Sequence, residues 1–217
     1  MKILNKDKTS KELAYNLITK FIPPYMIAFL RSTNCVVTGG LIRDFIRGKR
    51  PKDLDILAVC RSVDNLFFIL SNYFDKKVEE FKVIKIYDGC YTLKLDNSLM
   101  YSNEVTPIIN ITFYIDRSDK LAERIVYDQF DFNINMLCLK ITAGAEDTVE
   151  LINGYNKGET TCSLINKIKK GVIEVNRVMP IWRIERTISR LTRFIKEGYK
   201  INSYEKDIFT EIIKNHL

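Results

Sequence analysis

Apolar residues in the first sixty positions recur with two alternating periods, which predict helix, strand, helix and strand in that order. A helix that Thr9 and Ser10 can cap is predicted to run to about Leu30. Pro23 and Pro24 bend or break it, because a proline inside a helix removes a backbone hydrogen bond. The elements that follow are predicted as a strand at 35–38, a helix at 41–47 and a strand at 53–59.

Beyond residue 60 the pattern predicts further strands at 81–87, 91–95 and 108–115. Helices are predicted at 63–74, 130–139, 163–170, 174–197 with a break at Pro180, and 203–215. Mixed strands and helices therefore fill the first 150 residues, and almost all of the remainder is helical. The chain is predicted to be an α+β protein, with a mixed-sheet module at 1–150 followed by a short helical module at 151–217.

Composition narrows the class of protein. Of the 217 residues, 46% are hydrophobic, which is enough to bury a core and argues against disorder. The longest apolar stretches fall short of the ~20 residues that a membrane span needs. A single histidine argues against a His-based triad and a multi-His zinc site. Five cysteines without paired spacing predict reduced thiols in a cytoplasmic protein. The net charge of +7 permits a polyanionic partner without demanding one.

Two glycines separate the strand at 35–38 from the helix that follows it. Gly39 and Gly40 let the backbone approach a ligand closely, and the free N–H groups of a helix start attract phosphate oxygens. A plain tight turn is the alternative for a glycine pair taken alone.

Two aspartates begin the next strand. Asp53 and Asp55 are two residues apart, so an extended backbone points both carboxylates to one face, ~6–7 Å apart. Carboxylates in this arrangement can ligate Mg²⁺, and two such ions can clamp the attacking and leaving oxygens of a phosphoryl transfer. The alternative for an isolated pair is a solvated acidic turn.

The combination is more specific than its parts. Gly39-Gly40-Leu41-Ile42-Arg43-Asp44, then Gly48, then Asp53-Leu54-Asp55-Ile56 resembles the head-domain signature of the tRNA nucleotidyltransferase (CCA-adding enzyme) and bacterial poly(A) polymerase family, within the polymerase β-like nucleotidyltransferases. The resemblance implies a polymerase β-like head followed by a helical neck. It implies that Asp53 and Asp55 are catalytic and hold Mg²⁺. It also implies that Gly39, Gly40, Arg43 and Asp44 bind the nucleotide.

Two later segments resemble the family more loosely. Asp131-Phe132-Asn133-Ile134-Asn135 is similar to its ribose-binding motif, which implies that Asp131 and Asn135 bind the nucleotide, although Gln129 and Phe130 replace an arginine pair. The stripe Arg183, Arg186, Arg190 and Arg193 resembles the neck helix, with Arg186 and Arg190 as nucleotide or RNA contacts. A solvated basic face is the alternative.

The same resemblance also exposes departures from the family. The residues that the family uses as a template for the incoming base fall here on Arg183, Ile184 and Thr187, so the template is not matched unless Glu185 or Glu174 substitutes. A third carboxylate is often supplied from a neighbouring strand, where this chain has Asn110. Asp116 and Glu104 are outside candidates. The helical body and tail of the family are expected to be missing.

The function that follows by resemblance is transfer from CTP or ATP to an RNA 3′ end with Mg²⁺, with CCA addition to tRNA as the leading case. Two alternatives stay open: a poly(A)-type or other-acceptor nucleotidyltransferase, and a nucleotide- or RNA-binding module that has lost catalysis. The residues indicate no membrane partner and do not specify an oligomeric state.

Overall fold

The computed structural model describes residues 1–74, 83–87, 89–96, 108–118, 120–154, 158–176 and 184–202. These form an α+β fold, as predicted. The helices are α1 Lys8–Phe21, α2 Pro24–Ser32, α3 Gly40–Ile46, α4 Val63–Phe74, α5 Ala122–Gln129, α6 Thr161–Lys170 and α7 Ile184–Lys196. The strands are β1 Lys2–Ile3, β2 Cys35–Thr38, β3 Asp53–Cys60, β4 Val83–Tyr87, β5 Cys90–Asp96, β6 Ile108–Ile115, β7 Leu137–Thr142, β8 Thr148–Asn153, β9 Val172–Ile173 and β10 Lys200–Ile201.

A mixed sheet of eight strands organises the fold, in the order β1-β8-β7-β2-β3-β6-β5-β4. Strands β3 and β6 run parallel over eight residue pairs, whereas β2 meets β3 antiparallel. Strands β9 and β10 form a separate parallel pair. The strand that carries the two aspartates therefore lies inside the sheet, with a neighbour on each side.

The alternation of β3 divides its side chains between the two faces of the sheet. Leu54, Ile56 and Ala58 are buried in the main core, which also includes residues of α1, α2, α3, α4 and α6. Leu57 lies on the opposite face, where it packs with Val36 and with residues of α5 in a smaller cluster. Because Asp53 and Asp55 share the face of Leu57, the main core leaves their carboxylates free for other contacts.

The first predicted helix is divided, as the two prolines predicted. Helix α1 ends at Phe21, and Pro24 is the first residue of α2, where a proline is favourable because that N–H has no helical partner. The predicted N-cap at Thr9 or Ser10 is wrong, because the helix begins earlier. Asp7 is the N-cap, and its side chain accepts a hydrogen bond of 2.7 Å from the backbone N–H of Ser10.

The helix predicted at 130–139 is wrong. A short 3-10 turn at Asn133–Asn135 precedes β7, which pairs with β2 on one side and β8 on the other. Apolar residues at 137–139 form a continuous run because this strand is buried on both faces, and such a run does not distinguish a helix from a strand. The pattern also did not predict α5 or β8.

The second half of the chain is less helical than predicted. Residues 174–176 are not helical, and Val175 bridges to Phe132, so the helix predicted from residue 174 does not begin there. Pro180, the helix predicted at 203–215 and residues 81–82 of the predicted strand lie outside the described residues. Among the helices of the described ranges, none is both long and apolar enough for a membrane crossing.

Candidate active site

The glycine turn after β2 lies directly against the aspartates. Gly39 has a φ of +80°, which an L side chain rarely adopts, and a Cβ there would lie 2.9 Å from Oδ2 of Asp55. A Cβ on Gly40 would lie 3.8 Å from Oδ1 of Asp53. The sequence uses glycine here because any larger residue would occupy the space next to the carboxylates.

The turn is held in place by the segment that precedes β7. The Gly39 N–H donates to the carbonyl oxygen of Asn135 at 3.2 Å, and the Thr38 hydroxyl donates to the same oxygen at 2.9 Å. Thr38 also stands opposite Asp55 in the β2–β3 ladder. These bonds connect residues almost a hundred positions apart, so the shape of the turn depends on the tertiary fold.

One amide links the two carboxylates. Asn110 on β6 stands opposite Asp55, and its Nδ2 donates to Asp55 Oδ1 at 3.0 Å and to Asp53 Oδ2 at 3.4 Å. The Oδ1 of Asn110 is buried and has no hydrogen-bond partner among the described residues. The outward polar position predicted on this strand is therefore the one that meets the aspartates.

Burial and like charge act together on Asp55. Burial, and after it the neighbouring Asp53 carboxylate, raise the pKa of Asp55, which reaches about 6. Hydrogen bonds from Asn110 and from the Gly40 N–H oppose these two effects, as does the positive charge of Arg43. The site thus holds negative charge at neutral pH at an energetic cost, which a cation would relieve.

The donor set fits a hard divalent cation. Two carboxylates and an amide oxygen are oxygen ligands of the kind that Mg²⁺ takes, together with water and phosphate oxygens. The buried Oδ1 of Asn110 is a polar atom that a ligand would satisfy. No group of three or more His, Cys, Asp and Glu side chains suited to a metal occurs in the described ranges. Any cation at this site would therefore rely on substrate oxygens for part of its coordination.

Arg43 connects this site to the neck helix. Its Nε donates to Asp44 at 2.7 Å and its Nη1 donates to the side-chain oxygen of Asn135 at 2.8 Å. The guanidinium also lies over the ring of Phe194 in α7, 5.0 Å from its centroid. Only 9% of Arg43 is exposed. Arg43, Asp44 and Asn135, each predicted to bind the nucleotide, thus bind one another in this structure.

Asp131 pairs with Arg190, the third arginine of the predicted stripe. Arg190 Nη1 donates to Asp131 Oδ2 at 2.8 Å, and Asp131 is only 3% exposed. The backbone around Asp131 is fixed by Asn176, whose N–H donates to the Asp131 carbonyl at 2.8 Å. The ion pair therefore anchors α7 to the segment that precedes β7.

A pocket of about 570 Å³ opens on the sheet face beside Asp55. Its lining combines polar and charged side chains from the sheet, from the end of α5 and from α7, namely Thr38, Asp55, Gln129, Asp131, Arg186 and Arg190. Residues as far apart in the sequence as Thr38 and Arg190 meet here. The pocket joins one of the two aspartates to the two arginines, which suits a ligand that carries both a phosphate and a sugar or base.

The sequence of the chain identifies its family. The model of the Gabija anti-defense 2 family matches residues 8–152, which include both glycines and both aspartates. The chain belongs to the Gabija anti-defense 2 family. No curated protein matches it.

Solved structures of CCA-adding enzymes resemble this family member in fold. The Thermotoga maritima CCA-adding enzyme complexed with tRNA shares 18% identity at a TM-score of 0.61, over 93% of this chain and 45% of that one. A CCA-adding enzyme in complex with CTP shares 17% identity at a TM-score of 0.58, over 95% of this chain and 46% of that one. A CCA-adding enzyme in complex with ATP shares 18% identity at a TM-score of 0.57, over 92% of this chain and 45% of that one.

These comparisons establish a nucleotidyltransferase-like fold. The chain spans less than half the length of the enzymes that it resembles. The resemblance to the CCA-adding enzymes that the sequence suggested therefore holds for the fold, whereas the family that matches is an anti-defense family.

The remaining predicted positions fall in different places. Thr187, at one template position of the resemblance, is buried, and within the described part of the chain its hydroxyl has no hydrogen-bond partner. Ile184 is the first residue of α7. Glu174 forms an ion pair with Lys167 at 2.8 Å. Arg183 and Glu104 lie outside the described residues.

Asp116 is not a third ligand. Its N–H donates to the carbonyl of Cys60, at the opposite end of β3 from Asp53, a separation of ~23 Å along the strand. Sequence reasoning did not include Thr38, although its place between an apolar strand and two glycines was a usable signal. It also did not include Asn176 and Phe194, whose contacts with the site appear only in three dimensions.

Proposed function

We propose that the protein is a divalent-metal-dependent nucleotidyltransferase that transfers a nucleotide from an NTP to the 3′ end of an RNA. One observation carries the proposal: Asp53 and Asp55 lie side by side against the Gly39–Gly40 turn, at the edge of a pocket that contains two arginines. Positioning and charge neutralisation, more than proton transfer by side chains, are the requirements of phosphoryl transfer.

The residues divide the task. Asp53 and Asp55 would hold Mg²⁺. The amide oxygen of Asn110 would become a further ligand once the side-chain amide turned over, because Nδ2 faces the carboxylates in this structure. When bound, Mg²⁺ supplies positive charge that neutralises the triphosphate and favours the ionised form of the acceptor hydroxyl. The backbone of Gly39 and Gly40 leaves room for phosphate oxygens to approach.

The pocket would hold the nucleoside. Asp131 and Arg190, fixed by their ion pair, would contact ribose and phosphate, and Arg186 would contact phosphate or base. In the reaction the acceptor oxygen bonds to the α-phosphorus, the bond to pyrophosphate breaks and the hydroxyl proton passes to solvent. A cytoplasmic location is part of this proposal, because NTPs and RNA are found there.

The tRNA 3′ end is the first acceptor to test, because the fold neighbours include a CCA-adding enzyme complexed with tRNA. A specific observation favours the poly(A)-type alternative over ordered addition of C, C and A. In the register that the resemblance to the neck helix implies, Ile184 and Thr187 replace charged template residues, and Thr187 is buried. We therefore expect one preferred nucleotide.

The experiment is extension of a labelled RNA pool, including tRNA without its 3′ end, with Mg²⁺ and each NTP separately, followed by sequencing of the products. Incorporation that disappears in both Asp53→Asn and Asp55→Asn supports the proposal. Strict addition of C, C and A would overturn the poly(A)-type preference. No incorporation with any NTP would leave a nucleotide- or RNA-binding module.

The family description favours a biological role in which this chemistry counteracts the Gabija defence. The matched control is Asp53→Asn, which removes one carboxylate charge with almost no change of shape. In cells that carry Gabija, the wild-type protein should suppress the defence and Asp53→Asn should not. Equal suppression by both proteins would indicate that binding, and not transfer, produces the effect.

A further inference from the structure

The positive charge of the chain is concentrated in two short segments. Residues 47–52 contain four cations and no acid, and residues 193–200 contain three cations and one acid. Together they carry +6 of the +7 formal net charge. Elsewhere the cations and acids nearly balance, so a polyanion would meet its strongest attraction here.

Tertiary contacts join the two segments into one surface. The Glu197 carboxylate, in the second segment, contacts a cation of each segment: its Oε2 lies 3.2 Å from Lys49 Nζ and its Oε1 lies 3.8 Å from Arg193 Nε. The guanidinium of Arg47 lies 4.2 Å from the ring centroid of Tyr199. The exposed cations of this basic surface are Lys49, Arg50, Lys52, Arg193, Lys196 and Lys200.

The basic surface leads to the two aspartates. Lys52 directly precedes Asp53 in the chain. Helix α3 begins at Gly40 beside the carboxylates and ends at Ile46, ~10 Å away, where the loop that carries Lys49 and Arg50 begins. The cations therefore extend from the active site to the far end of α3 and onto the end of α7.

We infer that this basic surface binds the phosphodiester backbone of the acceptor RNA and leads its 3′ end to Asp53 and Asp55, an inference that rests on the proposed function. A single-stranded polyanion fits because its phosphates and its terminal hydroxyl belong to one flexible chain. Its phosphates can bind the exposed cations while the hydroxyl lies at the carboxylates. A triphosphate bound at the carboxylates is too short to follow the cations to the far end of α3.

Salt dependence measures the number of contacts. For single-stranded nucleic acid the slope of log K against log salt is about −0.7 for each phosphate contact, so six cations predict a slope of about −4. Removal of three of them should reduce the magnitude of the slope by about 2.

The test compares two triple variants of the full-length chain with the same change in net charge. Lys49→Gln/Arg50→Gln/Lys52→Gln removes half of the basic surface. The control, Lys2→Gln/Lys6→Gln/Lys11→Gln, removes three exposed lysines near β1, at an edge of the sheet. Binding of a fluorescent 20-nucleotide RNA is measured by anisotropy over a range of salt, and thermal unfolding checks that each variant folds. Lys196→Gln/Lys200→Gln provides a second variant of the surface.

The surface variants should bind RNA at least tenfold more weakly than the wild type, and the control should stay within about twofold. Transfer to a dinucleotide, which is too short to reach Lys49, Arg50, Lys196 and Lys200, should fall much less than transfer to the 20-nucleotide RNA. Equal losses in the surface variants and the control, or no RNA binding by the wild type, would overturn the inference. It would also be overturned by a raised KM for NTP with the dinucleotide, which would assign the cations to the triphosphate, and by tighter binding to anionic vesicles than to RNA. RNA binding that is lost only in the surface variants, with no NTP incorporation by the wild type or any variant, would support the RNA-binding surface and contradict the proposed reaction.

Discussion

A Cβ on Gly39 would lie 2.9 Å from Oδ2 of Asp55, closer than real Cβ atoms approach other atoms. Gly39→Ala must therefore move the carboxylate, and it also places an L side chain at a φ of +80°. We expect a loss of ~1–2 kcal/mol in stability from the backbone and a large loss of transfer activity.

Gly48→Ala is the matched control, because Gly48 has a φ of +67° and nothing lies within 4 Å of its Cβ position. It should lose similar stability, measured by urea unfolding, and keep its activity. Equal activity in both variants would show that the contact with Asp55 is not needed for transfer.

Replacement of either aspartate should abolish transfer while the fold survives. A bound divalent cation supplies several kcal/mol of charge stabilisation, so Asp53→Asn and Asp55→Asn should each lower kcat by ~10³-fold or more. Circular dichroism should show an unchanged fold, because neither carboxylate belongs to the main core. Retention of normal turnover in either variant would remove that carboxylate from the mechanism.

The stability of the metal-free protein should depend on pH through Asp55. Its pKa is raised from 3.8 to about 6 on folding, so the folded state binds the proton more tightly than the unfolded state. The stabilisation that the protonated Asp55 carboxyl contributes to the folded state is fully present below pH 3.8, declines as pH rises and is lost above about pH 6. The advantage of Asp55→Asn over the wild type should grow by roughly 2 kcal/mol between pH 4 and pH 7. Denaturant unfolding in the presence of EDTA measures this difference, and parallel curves would contradict it.

Asn110→Asp should change the response to divalent cations. Without metal it removes the amide donor shared by Asp53 and Asp55 and adds a third negative charge, so Tm should fall. With Mg²⁺ the extra carboxylate should give a larger rise in Tm than in the wild type, because tighter binding to the folded state increases its stability. Asn110→Ala, which removes the donor without adding charge, should show the smaller fall in Tm and a Mg²⁺-induced rise in Tm no larger than that of the wild type. Similar Mg²⁺ shifts in Asn110→Asp and Asn110→Ala would exclude this position as a ligand.

Replacement of Arg190 should destabilise the protein more than replacement of Asp131. Arg190→Met leaves Asp131 charged and buried without its partner, a change that typically costs ~3–5 kcal/mol. Asp131→Asn leaves Arg190, whose side chain is 34% exposed, in contact with water and should cost less. Urea unfolding of both single variants and the double variant measures the difference and the coupling between the residues. Equal costs would mean that Asp131 is hydrated despite its burial.

Local sequence was sufficient for the segment that carries the chemistry. The strand, the glycine turn, the helix and the next strand are consecutive between residues 35 and 60, and each is specified by its own apolar period and by glycine at the turn. Alternation alone placed Asp53 and Asp55 on one face. The same reasoning identified Asn110 as the outward polar residue on the neighbouring strand, which the register confirms.

Local sequence gave wrong predictions where an element is buried on all sides, because its apolar residues then show no helical or strand periodicity. Strand β7 is covered on both faces, so its apolar run resembled a helix. The neck was predicted to start at Glu174, but residues 174–176 pair with the segment around Phe132 instead. In both places long-range strand contacts outweighed local propensity.

From its sequence alone, this protein is determined to have an α+β fold with two adjacent carboxylates beside a glycine turn. Tertiary structure alone decided that Arg190 pairs with Asp131, that Arg43 bonds to Asn135 and stacks on Phe194, and that two basic segments meet around Glu197. The physical reason is the range of each interaction. Local backbone geometry is enough to decide which face of a strand a side chain occupies. An ion pair between residues 59 positions apart, in contrast, forms only after the chain has folded.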